Sequence, residues 1–456
     1  MTDAKGKEEN SQSGDPPVGG SHSIRLFSSP DCEAAREAFR AKPRAMTDKS
    51  MLVAEAVSRF VADDDYLVSG GFGGSRIATA ALHEIVRQKK QDLGFAGHTA
   101  THDFQILCAG NQTGRGKLLG RVDIAYVVGL EARGLSRHAR RVIESGEVEC
   151  CEWSNYTLAL RFKAAAMGVP FVPARSLLGT DTFNFSPAKQ IDCPFTGQRL
   201  AAIPALWPDV AVIHVHEADR FGNCRVRGTS VADFDVARAA RKLIVTCERL
   251  IPQSEIRRDP TQTVIPYFCV DAVCEVPFGS YPGNMPYEYF SDEAHIRQWL
   301  SVERDPAEHL EFLEKYVFGV KEFAEYLDLC GGLRRMQELR RQEVFPEECA
   351  VVIEALTQGF DHEEEARRQQ LSAEARLAYH QHSSGPIMDR LTHWMDQQWA
   401  ERTVEPTSSL GKAMAYLRGH GQTLPRFLQM TGAPLDNKTV ERALQLAIRQ
   451  RNNSLF

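Results

Sequence analysis

Ser69-Gly70-Gly71-Phe72-Gly73-Gly74-Ser75-Arg76 is the stretch of this chain whose residue types and spacing most directly suggest chemistry. It follows a strand-like run, Tyr66-Leu67-Val68-Ser69, and precedes an amphipathic run from Ala78 to Lys90. Glycines there let backbone amides approach a ligand, and a helix opening behind them would add partial positive charge for a phosphate or an oxyanion. The dinucleotide fingerprint fails, because Arg76 stands where the third glycine of Gly-x-Gly-x-x-Gly would fall. A tight structural turn is the competing reading.

Other polar residues could converge on such a loop. Arg175 could hold a carboxylate bidentately, with Ser176 beside it, or could pair within the fold. His98 lies just past an apolar run, and Asn155 could bind a ligand or cap the helix that follows it. Glu131, in Gly129-Leu130-Glu131-Ala132-Arg133-Gly134, could serve as an acid or base, or could pair with Arg133 or Arg137. His214 and His216 would share one strand face, but no third ligand stands at a metal-binding spacing, so no metal is expected.

These residues need a scaffold that brings distant loops together, and the pattern supplies one. Strand-like runs at 66–69, 93–96, 124–128, 170–172, 210–215 and 242–246 alternate with helical periodicity at 78–90, 136–145 and 155–167. Such alternation predicts an α/β fold: a mostly parallel open sheet with helices on both faces, Rossmann-like in layout. A proline- and aromatic-rich segment, 276–289, precedes helices over about 292–341, and Pro346 marks a boundary. The expected organisation is a mostly disordered arm over 1–42, in which Cys32 to Phe39 could form a short helix, a main domain over 43–342 and a mostly helical appendage over 343–456.

At 456 residues the chain exceeds one ordinary hydrophobic core. With 43% apolar and 25% charged residues it has the composition of a globular protein rather than a disordered or fibrous one. A net charge of −6 gives no global pull toward nucleic acid or anionic lipid. The eleven cysteines show no zinc or disulfide spacing, and neither a secretory leader nor a membrane span is legible, so a cytoplasmic location is expected.

Four segments occur in order: Gly70-Gly71-Phe72-Gly73, Glu152-Trp153-Ser154-Asn155-Tyr156 through Arg161-Phe162, Gly168-Val169-Pro170 through Arg175-Ser176 to Thr180-Asp181, and His214-Val215-His216-Glu217-Ala218-Asp219-Arg220-Phe221-Gly222-Asn223. Together they resemble the alpha subunit of family I coenzyme A transferases of the glutaconate CoA-transferase type. The resemblance implies a two-subunit enzyme in which a glutamate attacks an acyl-CoA thioester, giving a mixed anhydride and then an enzyme thioester. In that family the glutamate sits in the beta subunit, in a Glu-Asn-Gly-like turn. No such turn stands here, and Glu144-Ser145-Gly146 falls at the end of a helical run. The chain would thus contribute half a cleft, lined by Gly70, Gly71, Gly73, Gly74, Ser75, His98, Asn155, Arg175 and Ser176. Coenzyme A would be a substrate and no cofactor is implied. The partners would be the beta subunit, an acyl-CoA and a carboxylic acid. Related subunit pairs are acyl-CoA decarboxylases or ring-opening hydrolases.

The ending carries a different signal. Leu371 to His380, Ser384-Gly385-Pro386-Ile387-Met388, Ser409 to Ala413 and Pro434 to Leu444 resemble the C-terminal part of an Asp-Asp-Glu insertion-sequence transposase. Glu441 matches the family's last metal-binding carboxylate. A two-metal nuclease needs three converging acids, and the first two aspartates have no counterpart. The resemblance therefore implies a catalytically dead remnant; a transposition-related DNA-binding protein is the alternative from a different class, and the missing aspartates and the acidic net charge weigh against it. Leu391, Trp394, Trp399, Leu424, Phe427 and Leu428 would form a sticky surface unless they pack together.

Overall fold

The computed structural model describes residues 24–112, 116–127, 136–343, 347–401, 404, 409–419 and 424–433. Contacts divide the chain into two compact units, one of 1–226, 230–282 and 293–329, the other of 227–229, 283–292 and 330–456.

The first unit is built on strands β1 (Tyr66–Ser69), β2 (Leu93–Gly97), β3 (Leu119–Ile124), β4 (Glu149–Glu152), β5 (Phe171–Ala174), β6 (Lys189–Asp192), β7 (Arg199–Pro204), β8 (Val210–Ala218), β9 (Cys224–Arg225), β10 (Lys242–Leu250) and β11 (Ala272–Glu275). The main sheet runs β11-β10-β8-β1-β2-β3-β4, with every neighbouring pair parallel and β9 antiparallel beside β8. Strands β5, β7 and β6 form a small antiparallel sheet. Val210, Ala211, Val212 and Ile213 are all buried, which is why a strand covered on both faces reads as an unbroken apolar run. From β1 the chain first builds outward through β2 to β4 and then returns to build β8, β10 and β11 on the other side. The switch point is therefore between β1 and β8, and crevices outside the carboxyl ends of strands open at such points.

Helices α1 (Cys32–Ala41), α2 (Val53–Phe60), α3 (Thr79–Arg87), α4 (His102–Asn111), α5 (Arg137–Glu144), α6 (Asn155–Met167), α7 (Asp181–Asn184), α8 (Asp233–Ala239) and α9 (Gln253–Arg258) connect the strands, and α10 (Glu293–Val302), α11 (Pro306–Leu313) and α12 (Phe323–Leu329) complete the unit. Leu158 and Phe162 of α6 and Val236 of α8 pack into a core with Tyr66, Val68, Ile213 and Val245. A buried ion pair pins α6: Arg161 Nη1 lies 2.6 Å from Asp123 Oδ1. The same Asp123 accepts from Trp153 Nε1 at 2.6 Å and from the Tyr66 hydroxyl.

Three expectations need correction. The arm expected to be mostly disordered over 1–42, in which Cys32 to Phe39 could form a short helix, is ordered over 24–42 and helical over Cys32–Ala41, because Asp31 caps that helix and Ala35 packs with Ala164, Ala165 and Trp207; residues 1–23 lie outside the described residues. The strand expected at 124–128 lies instead at Leu119–Ile124, and Tyr126 leaves the sheet at a left-handed φ of +54°. Strand β4 was not expected, since its apolar side chains are the buried Cys150 and Cys151, which behave here as small hydrophobes.

In the second unit, helices α13 (Gly332–Glu343), α14 (Glu347–Arg368), α15 (Ala373–Ser383), α16 (Gly385–Ala400) and α17 (Ser409–Gly419) follow one another. Val352, Leu356, Ile387, Leu391, Met414 and Leu417 form its core, with Trp394 and Trp399 packed against it, so these apolar side chains cover one another. The buried Glu363 accepts from Arg367 Nε at 2.9 Å and Arg376 Nε at 3.0 Å and lies 2.9 Å from His380 Nε2, tying α14 to α15. Glu441 lies outside the described residues.

Candidate functional site

The glycine loop leaves the carboxyl end of β1 at the switch point, and its two halves do different work. Gly70 donates its amide to Val212 O at 2.8 Å, and Gly71 donates to Asp233 Oδ1 at 2.8 Å. A Cβ on Gly70 would stand 2.7 Å from Asp233 Oδ1, and Gly71 holds a φ of +94° with Ser75 O only 2.5 Å from where its Cβ would be. These two glycines let the chain pass over a buried carboxylate. Gly73 and Gly74 are the central residues of a two-residue turn closed by Phe72 N to Ser75 O and Ser75 N to Phe72 O, both at 3.0 Å. Gly73 has φ +59°, the sign that a type II′ turn requires at its first central position. No described residue accepts from the amide of Gly73 or of Gly74.

Helix α3 does not open directly behind the loop. It starts at Thr79, and the amide of Ala80 in its first turn is taken by Gly279 O at 3.1 Å. The helix N-terminus expected behind the loop is thus partly spent on the main chain, whereas the turn amides meet no acceptor among the described residues.

Arg76 ends the loop, and the fold cancels its charge. Its Nη2 donates to Asp233 Oδ2 at 2.8 Å, and both side chains are fully buried. Burial pushes the Asp233 carboxyl upward, yet the Arg76 guanidinium, with donors from Gly71 and Ser230, outweighs it and holds the group below its ordinary value. The aspartate sits at the first residue of α8, so a helix far along the chain supports the glycine loop.

A second loop, 98–101, leaves the carboxyl end of β2 and touches the first. The His98 and Phe72 rings lie with centroids 5.4 Å apart, and Thr101 Oγ1 donates to Gly73 O at 2.6 Å. His98 is 7% exposed and its Nε2 is buried with no hydrogen-bond partner among the described residues; burial pushes its pKa down to about 4, against the pull of Asp233. The ring is therefore neutral near pH 7 and can donate without carrying charge. Ser75 Oγ and Thr99 Oγ1 are likewise buried without partners among the described residues. Buried polar groups are nearly always satisfied, so these side chains mark the two touching loops as a candidate binding site.

Of the residues expected at the site, Gly70, Gly71, Gly73, Gly74, Ser75 and His98 come together. Asn155 lies at the first residue of α6, on the same edge of the sheet, and its Oδ1 is buried with no partner among the described residues. It does not cap that helix. Ser154 does, in a reciprocal box with Thr157 at 3.1 and 3.0 Å. Arg175 and Ser176 follow β5 in the small sheet and are exposed; no described residue pairs with Arg175, and no hydrogen bond links either to the glycine loop. Glu131 lies outside the described residues. His214 is no free ligand: Nδ1 meets Thr246 Oγ1 and Nε2 meets Glu248 Oε1, each at 2.8 Å.

Sequence reasoning missed Thr99, Thr101 and Asp103. Asp103 accepts from the amides of Thr101 and Phe104 at 2.8 and 2.9 Å. Burial pushes its carboxyl up to about 6 despite those donors. Only the adjacency of His98-Thr99-Ala100-Thr101-His102-Asp103 to the end of β2 could have signalled them.

The parallel sheet with polar groups gathered at its switch point defines an open α/β core of the kind that binds ligands there, and comparison specifies it. The Coenzyme A transferase family matches residues 50–276. The A-type subunit of glutaconate CoA-transferase from Acidaminococcus fermentans is 32% identical over 303 residues, 63% of this chain and 93% of that one. The crystal structure of that enzyme superposes with a TM-score of 0.61 at 30% identity, covering 64% and 95% of the two chains. An uncharacterized protein of Archaeoglobus fulgidus is 49% identical over 303 residues, 66% of each chain, so this chain spans just under two thirds of that relative. The decarboxylase AibA/AibB superposes at 0.52 and 30% identity, covering 59% and 98%. The chain belongs to the coenzyme A transferase family and is a CoA-transferase subunit of the alpha type. Residues 332–456 match a second family, the IS66 transposases, so a transposase-derived tail is joined to the transferase body. No described helix is long and apolar enough to cross a membrane.

Proposed function

We propose that the chain is the alpha subunit of a hetero-oligomeric acyl-CoA:carboxylate CoA-transferase and that its two loops cradle the thioester carbonyl. A beta subunit supplies the attacking glutamate. Its carboxylate adds to the thioester carbon, the carbonyl oxygen becomes an oxyanion, and collapse expels the CoA thiolate to leave an acyl-glutamyl anhydride. The thiolate then attacks the glutamyl carbonyl, forming the enzyme thioester and freeing the first acid; a second carboxylate reverses these steps and leaves with CoA. Gly73, Gly74, Ser75 and His98 are the donors for the oxyanion, Gly70 and Gly71 shape the loop, and Asn155, Arg175 and Ser176 bind more remote parts of the acyl group or CoA. Coenzyme A is a substrate and no other cofactor takes part. The cytoplasm, where acyl-CoA is at hand, suits a chain whose described cysteines are all free thiols.

The observation that carries this reading is the set of unspent donors on neutral groups. An oxyanion hole needs donors already aimed where charge develops, and it works best where no standing countercharge already fills the site. The test is acyl-CoA exchange by the chain alone and with a beta-type partner bearing the glutamate. The chain alone is inert, the pair turns over, and His98→Phe in the pair lowers kcat by about 10²-fold. Exchange by the lone chain, or full activity of His98→Phe, overturns the assignment. The similarity to AibA/AibB supports a second reading, in which the same cradle stabilises the enolate left by decarboxylation; release of carbon dioxide without CoA exchange would select it.

A further inference from the structure

Thr101 occupies the N-cap of α4, where a threonine ordinarily bonds a first-turn amide, yet its side chain makes no cap hydrogen bond. The hydroxyl is spent on Gly73 O at 2.6 Å, and the residue is held for that purpose by Asp103 Oδ1, which accepts the Thr101 amide at 2.8 Å. Thr101 is 5% exposed, so this bond is shielded from water.

Gly73 C=O and Gly74 N–H belong to one peptide unit. In a trans peptide they point in opposite directions, so a donor on the carbonyl side leaves the N–H side free and aimed away from Thr101. A hydrogen bond to the carbonyl also draws electron density through the conjugated C–N bond, which strengthens the N–H as a donor; such chains of hydrogen bonds reinforce one another. Gly74 is half-buried in the turn, and its N–H has no described acceptor.

We propose that Thr101 is a positioning residue that orients and polarises the Gly73–Gly74 peptide, so that the Gly74 N–H becomes the principal donor to the substrate oxyanion. This rests on the thioester-cradle reading above and adds to it a residue that never touches substrate. Thr101 works through the peptide, and Asp103 works through Thr101.

The test compares Thr101→Val, Thr101→Ser and the wild type in the assembled two-subunit enzyme. Valine keeps the shape and removes the donor, so kcat falls about tenfold with KM within about twofold, less than the 10²–10³ that loss of a whole donor costs. Serine restores kcat. Infrared spectroscopy of a bound acyl-CoA with a labelled thioester carbonyl gives a readout that a merely structural role would not move: the red shift of the C=O stretch in the wild type shrinks in Thr101→Val and returns in Thr101→Ser. If valine prevents folding, Thr101→Cys, with its weaker donor, gives an intermediate shift. An unchanged kcat and stretch in a folded valine or cysteine variant, or failure of serine to rescue, overturns the role of Thr101. Absence of any red shift in the wild type overturns the cradle itself.

Discussion

Gly71→Ala should cost far more stability than Gly73→Ala, although the two glycines lie two residues apart and both have positive φ. An L-residue in the left-handed region costs about 1–2 kcal/mol, and both variants meet that term. At Gly73 little else is added, because the nearest atom to a new Cβ is the Thr99 methyl at 3.9 Å. At Gly71 the Cβ would lie 2.5 Å from Ser75 O and 2.8 Å from Arg76 O, both main-chain atoms. Ser75 O cannot retreat without loosening its 3.0 Å bond from the Phe72 amide, so an overpacking cost of about 1–3 kcal/mol adds to the strain. The expected losses are roughly 3–4 kcal/mol for Gly71→Ala and about 1 kcal/mol for Gly73→Ala. Urea unfolding followed by near-ultraviolet circular dichroism measures both, comparing midpoints at constant slope. Gly73→Asn is the control, since asparagine tolerates the left-handed region. Equal losses in the two alanine variants, or a loss under about 1 kcal/mol at Gly71, would refute the division of the loop into a scaffold half and a ligand half.

Two further outcomes are expected. Ser154→Ala should destabilise the first unit by about 1 kcal/mol while Asn155→Ala changes stability little, because Ser154 carries the cap of α6; equal effects in urea titrations would return the cap to Asn155. Acid should weaken the unit through His309, whose Nδ1 lies 2.7 Å from Gln112 Oε1 and whose pKa is pushed to about 3 by burial, with His138 and Arg141 adding to the effect. Its folded value lies below the unfolded value of about 6.5, so the stabilisation is complete above that pH and is lost as pH falls toward 3, by about 3 kcal/mol at pH 4. His309→Gln should flatten that limb of a stability–pH curve, and a limb of unchanged steepness would rule His309 out as its source.

The fold was legible wherever burial on both faces of the sheet forced an apolar run. Val210 to Val215 and Lys242 to Thr246 could hardly be anything but central strands, and Asn155 to Met167 reads as a helix from end to end. The misses have physical causes. The chain enters β3 at Leu119 through Gly120 and Arg121, whose half-buried positions hide the period, so the apolar residues past its end drew the assignment downstream. The edge strand β6 presents mostly exposed polar side chains and is defined by its pairing with β7 rather than by burial.

The site was legible as a place and illegible as a mechanism, and the reason is Asp233. Sequence alone offers a glycine loop ending in Arg76, a pattern that fits a phosphate or an oxyanion alike. Whether the charge of Arg76 is available depends on a carboxylate 157 positions later, delivered by α8 through a 2.8 Å bond. With the pair closed and His98 neutral, the donors that remain on the loop are amides, a hydroxyl and an uncharged imidazole. Such a set gives a ground-state carboxylate or phosphate little Coulombic advantage over water. It gains most when a neutral carbonyl becomes an oxyanion, because fixed dipoles in a shielded site then act without reorganising. The cancelled arginine thus fits the proposed thioester carbonyl at this loop better than a phosphate, which would gain more from a standing charge.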